Sequence, residues 1–305
     1  MYISIRSFSS LLITIFLTLN IVPVIAEEPA RQPTPLIFNT YHRLLPLEGG
    51  SNFRDIGGYK TSDNKTVIRG QLFRSGSLSA LTDKDILYLD QIGFRTVVDL
   101  RSSEEIELFP NQWVKSRSID YLSSAHSHVD ILPDTIKSMA NVSMEDIFRE
   151  SYKHLPVLLQ PHFKIYFSQL LAGNTPIVVN CFAGQDRTGA ATALLLSALG
   201  VPRDIIIEDY LLSTDYRDLS NEFGNVDLQK ASETNSYAKL LLQQSGKGLA
   251  ANPRPNVLKS AQGVPYIQYF FDQIEKDYGS VENYLNDVIG VTAMDISRLR
   301  SLYLR

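Results

Sequence analysis

The only cysteine of the chain, Cys181, stands six positions before Arg187, with Gly184 between them and Gly189 just after. A thiolate can attack phosphorus, and the planar guanidinium of an arginine can hold two phosphate oxygens at once. Glycines allow a tight backbone path that turns successive N–H groups toward a common centre. This spacing predicts a loop that binds a phosphate ester and attacks it with the cysteine.

The residues on either side of this segment predict a strand before it and a helix after it. Residues 176–179 form a short apolar run, rich in β-branched side chains, that is typical of a buried parallel strand. Residues 190–199 are mostly strong helix formers, and Gly200 follows them. The thiol would then lie at the carboxyl end of a strand, where open α/β sheets bind ligands. The alternative is that Cys181 is a small buried apolar residue, but the glycines and flanking elements favour the catalytic interpretation.

The segment from Asn180 to Gly189 resembles the signature loop of cysteine-dependent protein tyrosine phosphatases, which is Cys, five residues, Arg, then Ser or Thr. It is most like the loop of the bacterial tyrosine-phosphatase-like family, His-Cys-x-x-Gly-Lys-Asp-Arg-Thr-Gly. Further segments that resemble this family follow in the same order, at residues 52–59, 69–76, 97–101, 209–213 and 278–285. The resemblance covers nearly all of the chain from about residue 47 onward.

Two positions depart from the pattern of that family. The histidine before the nucleophile is Asn180 here, and the loop lysine is Gln185. An asparagine can hydrogen-bond to the loop, but it brings no positive charge to stabilise a thiolate. A lysine in the loop would add a second cation, useful for multiply phosphorylated substrates such as phosphoinositides, so Gln185 weakens that substrate interpretation.

The resemblance implies a role for each residue of the loop. Cys181 would attack phosphorus and form a phosphocysteine, while Arg187 and the backbone N–H groups would stabilise the equatorial oxygens. Thr188 would donate its hydroxyl to the sulfur, or would simply begin a helix. The residues expected to surround the phosphate are Phe182, Ala183, Gly184, Gln185 and Gly189.

Two aspartates are candidates for the general acid that protonates the leaving oxygen and then activates water. Asp186 lies inside the loop, at a position proposed for this work in related enzymes, although it could instead brace the loop. Asp99, at the end of the predicted strand 96–100, is the second candidate. An aspartate at such a place more often fixes a neighbouring loop.

Three arginines in the matched segments could line the mouth of the pocket. The plainer expectation for each is an ion pair with a nearby carboxylate, such as that of Asp55 or Glu104. These arginines are Arg54, Arg74 and Arg101.

The first 26 residues predict a secretory signal peptide that is cleaved after Ala26. An apolar core lies at residues 11–19, and Asn20 and Pro23 interrupt the run before it is long enough to be a comfortable membrane span. An uncleaved anchor is therefore the less favoured alternative. We expect an exported protein, periplasmic or secreted, with no stable membrane association after cleavage.

The rest of the chain predicts an extended lead-in over residues 27–46 and a single catalytic domain over residues 47–305. The expected fold is α/β, a central, mostly parallel sheet flanked by helices, like that of cysteine phosphatases. Residues 123–172 hold two probable helices and are the expected place of a helical lid over the active site. The strand candidates are residues 67–73, 96–100, 119–122 and 177–179.

These features together predict a phosphomonoesterase that acts on phosphotyrosine, either alone or with dual specificity. The alternatives are a phosphoinositide or inositol phosphate phosphatase, and a non-catalytic module that only binds phosphate. The expected partner is a phosphorylated protein or a phospholipid substrate. The formal net charge of -4 argues against nonspecific nucleic-acid binding. The mechanism needs no cofactor and no metal, so we expect none.

Overall fold

The computed structural model describes residues 43–131, 133–134, 142–245 and 258–305. The predicted signal peptide and most of the predicted lead-in lie outside these described residues.

One sheet of five strands carries the site. Its strands are β1 (Arg54–Asp55), β2 (Leu72–Ser75), β3 (Thr96–Asp99), β4 (Asp120–Ser123) and β5 (Ile177–Asn180). They lie in the order β1-β2-β5-β3-β4, with β1 antiparallel to β2 and every other neighbouring pair parallel. The predicted α/β fold with a mostly parallel sheet is confirmed.

Helices surround this sheet. They are α1 (Asp83–Ile92), α2 (Ser103–Leu108), α3 (Met144–Leu158), α4 (Gln160–Ala172), α5 (Asp186–Leu199), α6 (Arg203–Leu211), α7 (Ser213–Tyr216), α8 (Leu219–Phe223), α9 (Leu228–Ala231), α10 (Ser236–Ser245), α11 (Tyr266–Tyr278), α12 (Val281–Tyr284) and α13 (Ala293–Tyr303). Helix α1 follows the N-cap residue Thr82, which forms a capping box with Asp85, and it ends at a left-handed Gly93.

The central strand β5 is buried on both faces. Ile177 and Val179 belong to the main apolar core, and Val178 packs on the opposite face with Phe73 and Val97. A strand covered on both faces needs apolar residues at successive positions, which explains why residues 176–179 were recognisable in the sequence.

The predicted strand over residues 67–73 begins five residues earlier than the observed strand β2. Only the end of the predicted run 67–73 belongs to β2, and Val67 instead forms an isolated antiparallel bridge with Leu304. Gly70 separates the two parts, because its φ of +74° is incompatible with an extended strand.

The predicted lid segment and a later segment of the chain both pack around the cysteine loop, since Tyr152 of α3 donates a hydrogen bond to Asp186. Helices α3 and α4, within residues 123–172, pack into the main core. The ring of Phe182 is instead contacted by Phe223 of α8 and Tyr237 of α10, at centroid distances of 5.3 and 6.0 Å. These two helices follow residue 218 in the chain, and Phe109, just after α2, contacts the same ring at 5.1 Å.

Candidate active site

The cysteine loop joins β5 to α5 and presses closely against the residues after β2. Gly184 has a φ of +64°, and a Cβ there would lie 2.4 Å from the backbone nitrogen of Gly76 and 2.5 Å from the carbonyl oxygen of Ser75. Only glycine fits both this conformation and this contact. The glycine that the sequence singles out is therefore required by the path of the loop.

Residues outside the cysteine loop donate hydrogen bonds to its carbonyl oxygens, and these bonds hold the carbonyls pointing away from the centre of the loop. The carbonyl oxygen of Phe182 accepts from the Ser77 N–H at 2.7 Å. Asn52 Nδ2 donates to the carbonyl oxygens of residues 183 and 184 at 3.1 and 2.8 Å, and Arg74 Nη2 donates to that of residue 184 at 2.8 Å. With the carbonyls held outward, the N–H groups of the loop are free to face a bound oxyanion.

Arg187 is held in place by a buried glutamate that the sequence analysis did not identify. Its Nη1 and Nη2 donate to Glu105 Oε2 and Oε1 at 2.6 and 2.7 Å, and Nη1 also reaches the carbonyl oxygen of Leu100 at 3.2 Å. Burial alone would lower the pKa of Arg187, but Glu105 raises it well above its ordinary value. Burial alone would raise the pKa of Glu105, and Arg187 keeps it below its usual range. Both groups are therefore charged, and the guanidinium is fixed before any substrate arrives.

Cys181 lies at the end of β5 and is 1% exposed. It is close enough to Arg187 for the two side chains to interact electrostatically. The predicted nucleophile and the predicted phosphate-binding arginine are thus brought together.

Asp186 is the first residue of α5 and is half-buried. Its Oδ1 accepts a hydrogen bond from the hydroxyl of Tyr152. The side chain also lines a small pocket beside the loop, whose other lining residues are Phe148, Ala183, Gln185, Arg217, Leu258 and Tyr266. A carboxylate at the wall of a pocket beside the loop can exchange a proton with a bound ligand.

Asp99 is placed differently, although it lies beside Asn180 in the sheet register. Its carboxylate is fully buried and accepts from Arg101 Nη2 at 2.6 Å and from the Tyr121 hydroxyl at 2.8 Å. Burial would raise the pKa of Asp99, but Arg101 lowers it below its ordinary range. These contacts support the bracing role over the role of general acid.

Two further loop residues stand where the sequence places them but lack the contacts expected of them. The Thr188 hydroxyl is buried and makes no hydrogen bond within the described residues, so the predicted bond to the Cys181 sulfur is not formed here. A Cβ on Gly189 would lie 2.9 Å from the ring of Tyr210, so this glycine makes room for a tyrosine, and its N–H donates to the carbonyl oxygen of Gln185 at 2.9 Å.

The arginines of the matched segments form ion pairs, as expected from the sequence. Their partners are not the expected Asp55 and Glu104. Arg54 Nε and Arg74 Nη1 both bind Asp209, at 3.2 and 2.6 Å. Arg101 binds Asp99. Burial would raise the pKa of Asp209, and the two arginines hold it well below its usual range. Because Arg74 also bonds to the loop carbonyl of residue 184, this cluster supports the loop from behind.

No group of three or more His, Cys, Asp or Glu side chains in the described residues is arranged to hold a metal ion. None of the helices there combines the length and the apolar character that a membrane crossing requires.

The model of the Tyrosine phosphatase family matches residues 45–305. The chain belongs to that family. A Cupriavidus necator protein provisionally named a tyrosine-protein phosphatase is 30% identical over 266 residues, which cover 85% of this chain and 88% of that protein. The triple specificity protein phosphatase PtpB of Mycobacterium tuberculosis is 29% identical over 290 residues, which cover 85% of this chain and 98% of PtpB. The solved structure of TpbA from P. aeruginosa covers 61% of this chain and 97% of its own, at 15% identity and a TM-score of 0.30.

Family membership makes this tyrosine phosphatase a phosphoric monoester hydrolase.

Several residues that shape its site were missed in the sequence. Glu105 had a usable signal, because Ser102 and Glu105 have the spacing of a capping box, and both bonds of that box are present. Tyr152 and Arg217 had no such signal in the sequence, since each contacts the loop only because the fold brings distant residues together.

Proposed function

We propose that this phosphatase is an exported protein tyrosine phosphatase that works through a phosphocysteine intermediate. The observation that carries this proposal is the pairing of Arg187 with Glu105 beside a loop whose carbonyls at residues 182–184 are hydrogen-bonded from outside. A dianionic phosphate on this loop would be bound by backbone N–H groups and by the remaining edge of the guanidinium. The phosphorus would then lie above Cys181.

The reaction has two steps. In the first, the Cys181 thiolate forms a bond to phosphorus while the bond from phosphorus to the tyrosine oxygen breaks, and Asp186 gives that oxygen its proton. In the second, Asp186 takes a proton from water as the water attacks phosphorus, and the S–P bond breaks to return the thiolate and release phosphate.

The surroundings of Phe182 support an aromatic substrate. Its ring packs against those of Phe109, Phe223 and Tyr237, at centroid distances between 5.1 and 6.0 Å. Tyr237 also lies near enough to Cys181 to interact with it electrostatically. Aromatic walls beside the nucleophile would pack against the ring of a phosphotyrosine.

Export is proposed on the sequence alone. The apolar core at residues 11–19 and the small Ala26 support a cleaved signal peptide and a periplasmic or secreted enzyme. A cleaved protein of net negative charge would make no stable contact with a membrane of anionic lipids.

One contact favours a second substrate class, multiply phosphorylated ligands such as phosphoinositides. Arg217 Nη1 donates to Gln185 Oε1, so a cation stands where the loop itself has lost its lysine. Arg217 is held by Glu222, through Nε to Oε1 at 2.8 Å and Nη2 to Oε2 at 2.7 Å. Its charge also acts on Asp186 and Cys181. The second hydrogens of Nη1 and Nη2 remain for a second phosphate at the edge of the pocket.

A substrate panel tests both parts of the proposal. We expect phosphate release from phosphotyrosine peptide that survives EDTA and is inhibited by vanadate, which mimics five-coordinate phosphorus. Phosphoserine peptide and phosphoinositides complete the panel. Activity abolished by EDTA would contradict the metal-free mechanism. If no substrate is turned over while vanadate still binds, the chain is a phosphate-binding module and the proposal fails.

In the same panel, the double variant Arg217→Gln/Glu222→Gln separates the two substrate classes. It removes both charges together, so that no buried charge is left unpaired. If Arg217 binds a second phosphate, turnover of phosphoinositide should fall about 10-fold and that of phosphotyrosine peptide less than about threefold. The matched control is Arg203→Gln/Glu275→Gln, which removes a surface pair. Equal losses on both substrates would contradict the second phosphate site.

A further inference from the structure

Two buried tyrosines form a hydrogen-bonded chain that ends on the carboxylate of Asp186. The Tyr152 hydroxyl of α3 donates to Asp186 Oδ1, and the hydroxyl oxygens of Tyr152 and Tyr210 are 2.5 Å apart. Both rings are 1% exposed. Helices α3, α5 and α6 thus meet at one point behind the loop.

The direction of this chain follows from counting hydrogens. A tyrosine hydroxyl has one hydrogen, and that of Tyr152 is given to Asp186. The contact between the two hydroxyls must then be a donation from Tyr210 to Tyr152. Burial raises the pKa of both tyrosines well above the ordinary value, so both remain protonated and the direction is kept.

Packing fixes the two rings as well as the two hydroxyls. The Tyr152 ring stacks on Tyr266 at a centroid distance of 5.9 Å and an interplanar angle of 24°. It meets the Tyr210 ring edge-on at 6.1 Å and 89°. Tyr210 in turn occupies the space that a side chain at Gly189 would fill. The hydroxyl of Tyr152 therefore has little freedom to turn away from Asp186.

We propose that Tyr152, oriented by Tyr210, is a positioning residue that holds Oδ1 of Asp186 as a hydrogen-bond acceptor and leaves the transferable proton on Oδ2. The proposal rests on the proposed role of Asp186 as general acid. If the proton were on Oδ1, the Tyr152 hydroxyl could no longer donate to that oxygen. Its hydrogen would have to turn toward Tyr210, whose own hydroxyl hydrogen already points at Tyr152. Oδ2 makes no hydrogen bond to protein within the described residues, so it is the oxygen that can serve the pocket.

The dependence of kcat on the leaving group tests this role, because acid catalysis matters most when the leaving oxygen is basic. Phenyl phosphate has a poor leaving group and p-nitrophenyl phosphate a good one. For Tyr152→Phe we expect kcat on phenyl phosphate to fall about 10- to 100-fold and kcat on p-nitrophenyl phosphate less than about threefold. Tyr210→Phe should give the same pattern with a smaller loss. An equal loss on both substrates would show a merely structural role, and no loss on either would overturn the proposal.

Two further variants complete the experiment. Tyr166→Phe is the control, since Tyr166 is a buried tyrosine whose hydroxyl has no protein partner within the described residues, and it should change neither rate. Asp186→Asn should show the largest dependence on the leaving group, and adding Tyr152→Phe to it should change nothing more. If Asp186→Asn shows no such dependence, the acid role of Asp186 fails. If it does while Tyr152→Phe does not, only the positioning role fails.

Discussion

Replacing Cys181 with serine is expected to lower phosphate release by roughly 10⁴-fold or more, as the loss of a catalytic nucleophile does in other hydrolases. A serine hydroxyl is far weaker as a nucleophile than a thiolate unless a base takes its proton. The preceding residue, Asn180, is an amide that cannot act as one, and its side chain makes no hydrogen bond in the described part of the chain. Steady-state kcat on phosphotyrosine peptide measures this loss.

Binding separates a chemical defect from a misfolded loop in this variant. The backbone N–H groups and Arg187 are unchanged, so inorganic phosphate should bind to Cys181→Ser with a Kd within about threefold of that of the wild type. A variant that keeps more than a tenth of the wild-type kcat would rule out Cys181 as the nucleophile.

Arg187→Lys is expected to lower kcat about 10²- to 10³-fold, the cost of removing one preorganised donor from a developing oxyanion. The guanidinium binds Glu105 with one edge and has another edge left for the phosphate, whereas a lysine has a single ammonium for both. The positive charge is kept, so Glu105 is not left unpaired in the core. The variant should therefore remain folded, with a small change in Tm.

Arg203→Lys is the matched control for this variant. Arg203 pairs with Glu275 at the surface, 2.8 Å away, and is not among the residues that line the pocket beside the loop. Its replacement should leave kcat unchanged. If Arg187→Lys keeps kcat within threefold of the wild type, the guanidinium does not stabilise the transition state in the way proposed here.

The features that could be predicted from sequence are those encoded locally. The apolar run before Cys181 and the helix that ends at Gly200 are visible along the chain, and the structure places the loop between them. The Thr82 cap of α1 is local in the same way. The family resemblance supplied the fold class, a mostly parallel sheet flanked by helices.

The residues that sequence reasoning missed act through contacts that only the fold creates. Tyr152 precedes Asp186 by 34 positions, and Arg187 follows Glu105 by 82. The partner of Arg54 is Asp209, 155 positions away, and not the adjacent Asp55. Asp55 is instead occupied by backbone N–H groups of residues 57 and 70. Of the three arginines in the matched segments, only Arg101 has a partner close to it in the sequence, Asp99, whereas Arg54 and Arg74 pair with the distant Asp209.

The most direct test of the mechanism is to trap the covalent intermediate. Enzyme that is turning over an aryl phosphate would be quenched in denaturant, and the peptide containing Cys181 would be examined by mass spectrometry. We predict one phosphoryl group on Cys181, a larger trapped fraction in Asp186→Asn because the base for water is missing, and none in Cys181→Ser. Steady turnover with no phosphoryl group on Cys181, or with one on another residue, would contradict the phosphocysteine mechanism.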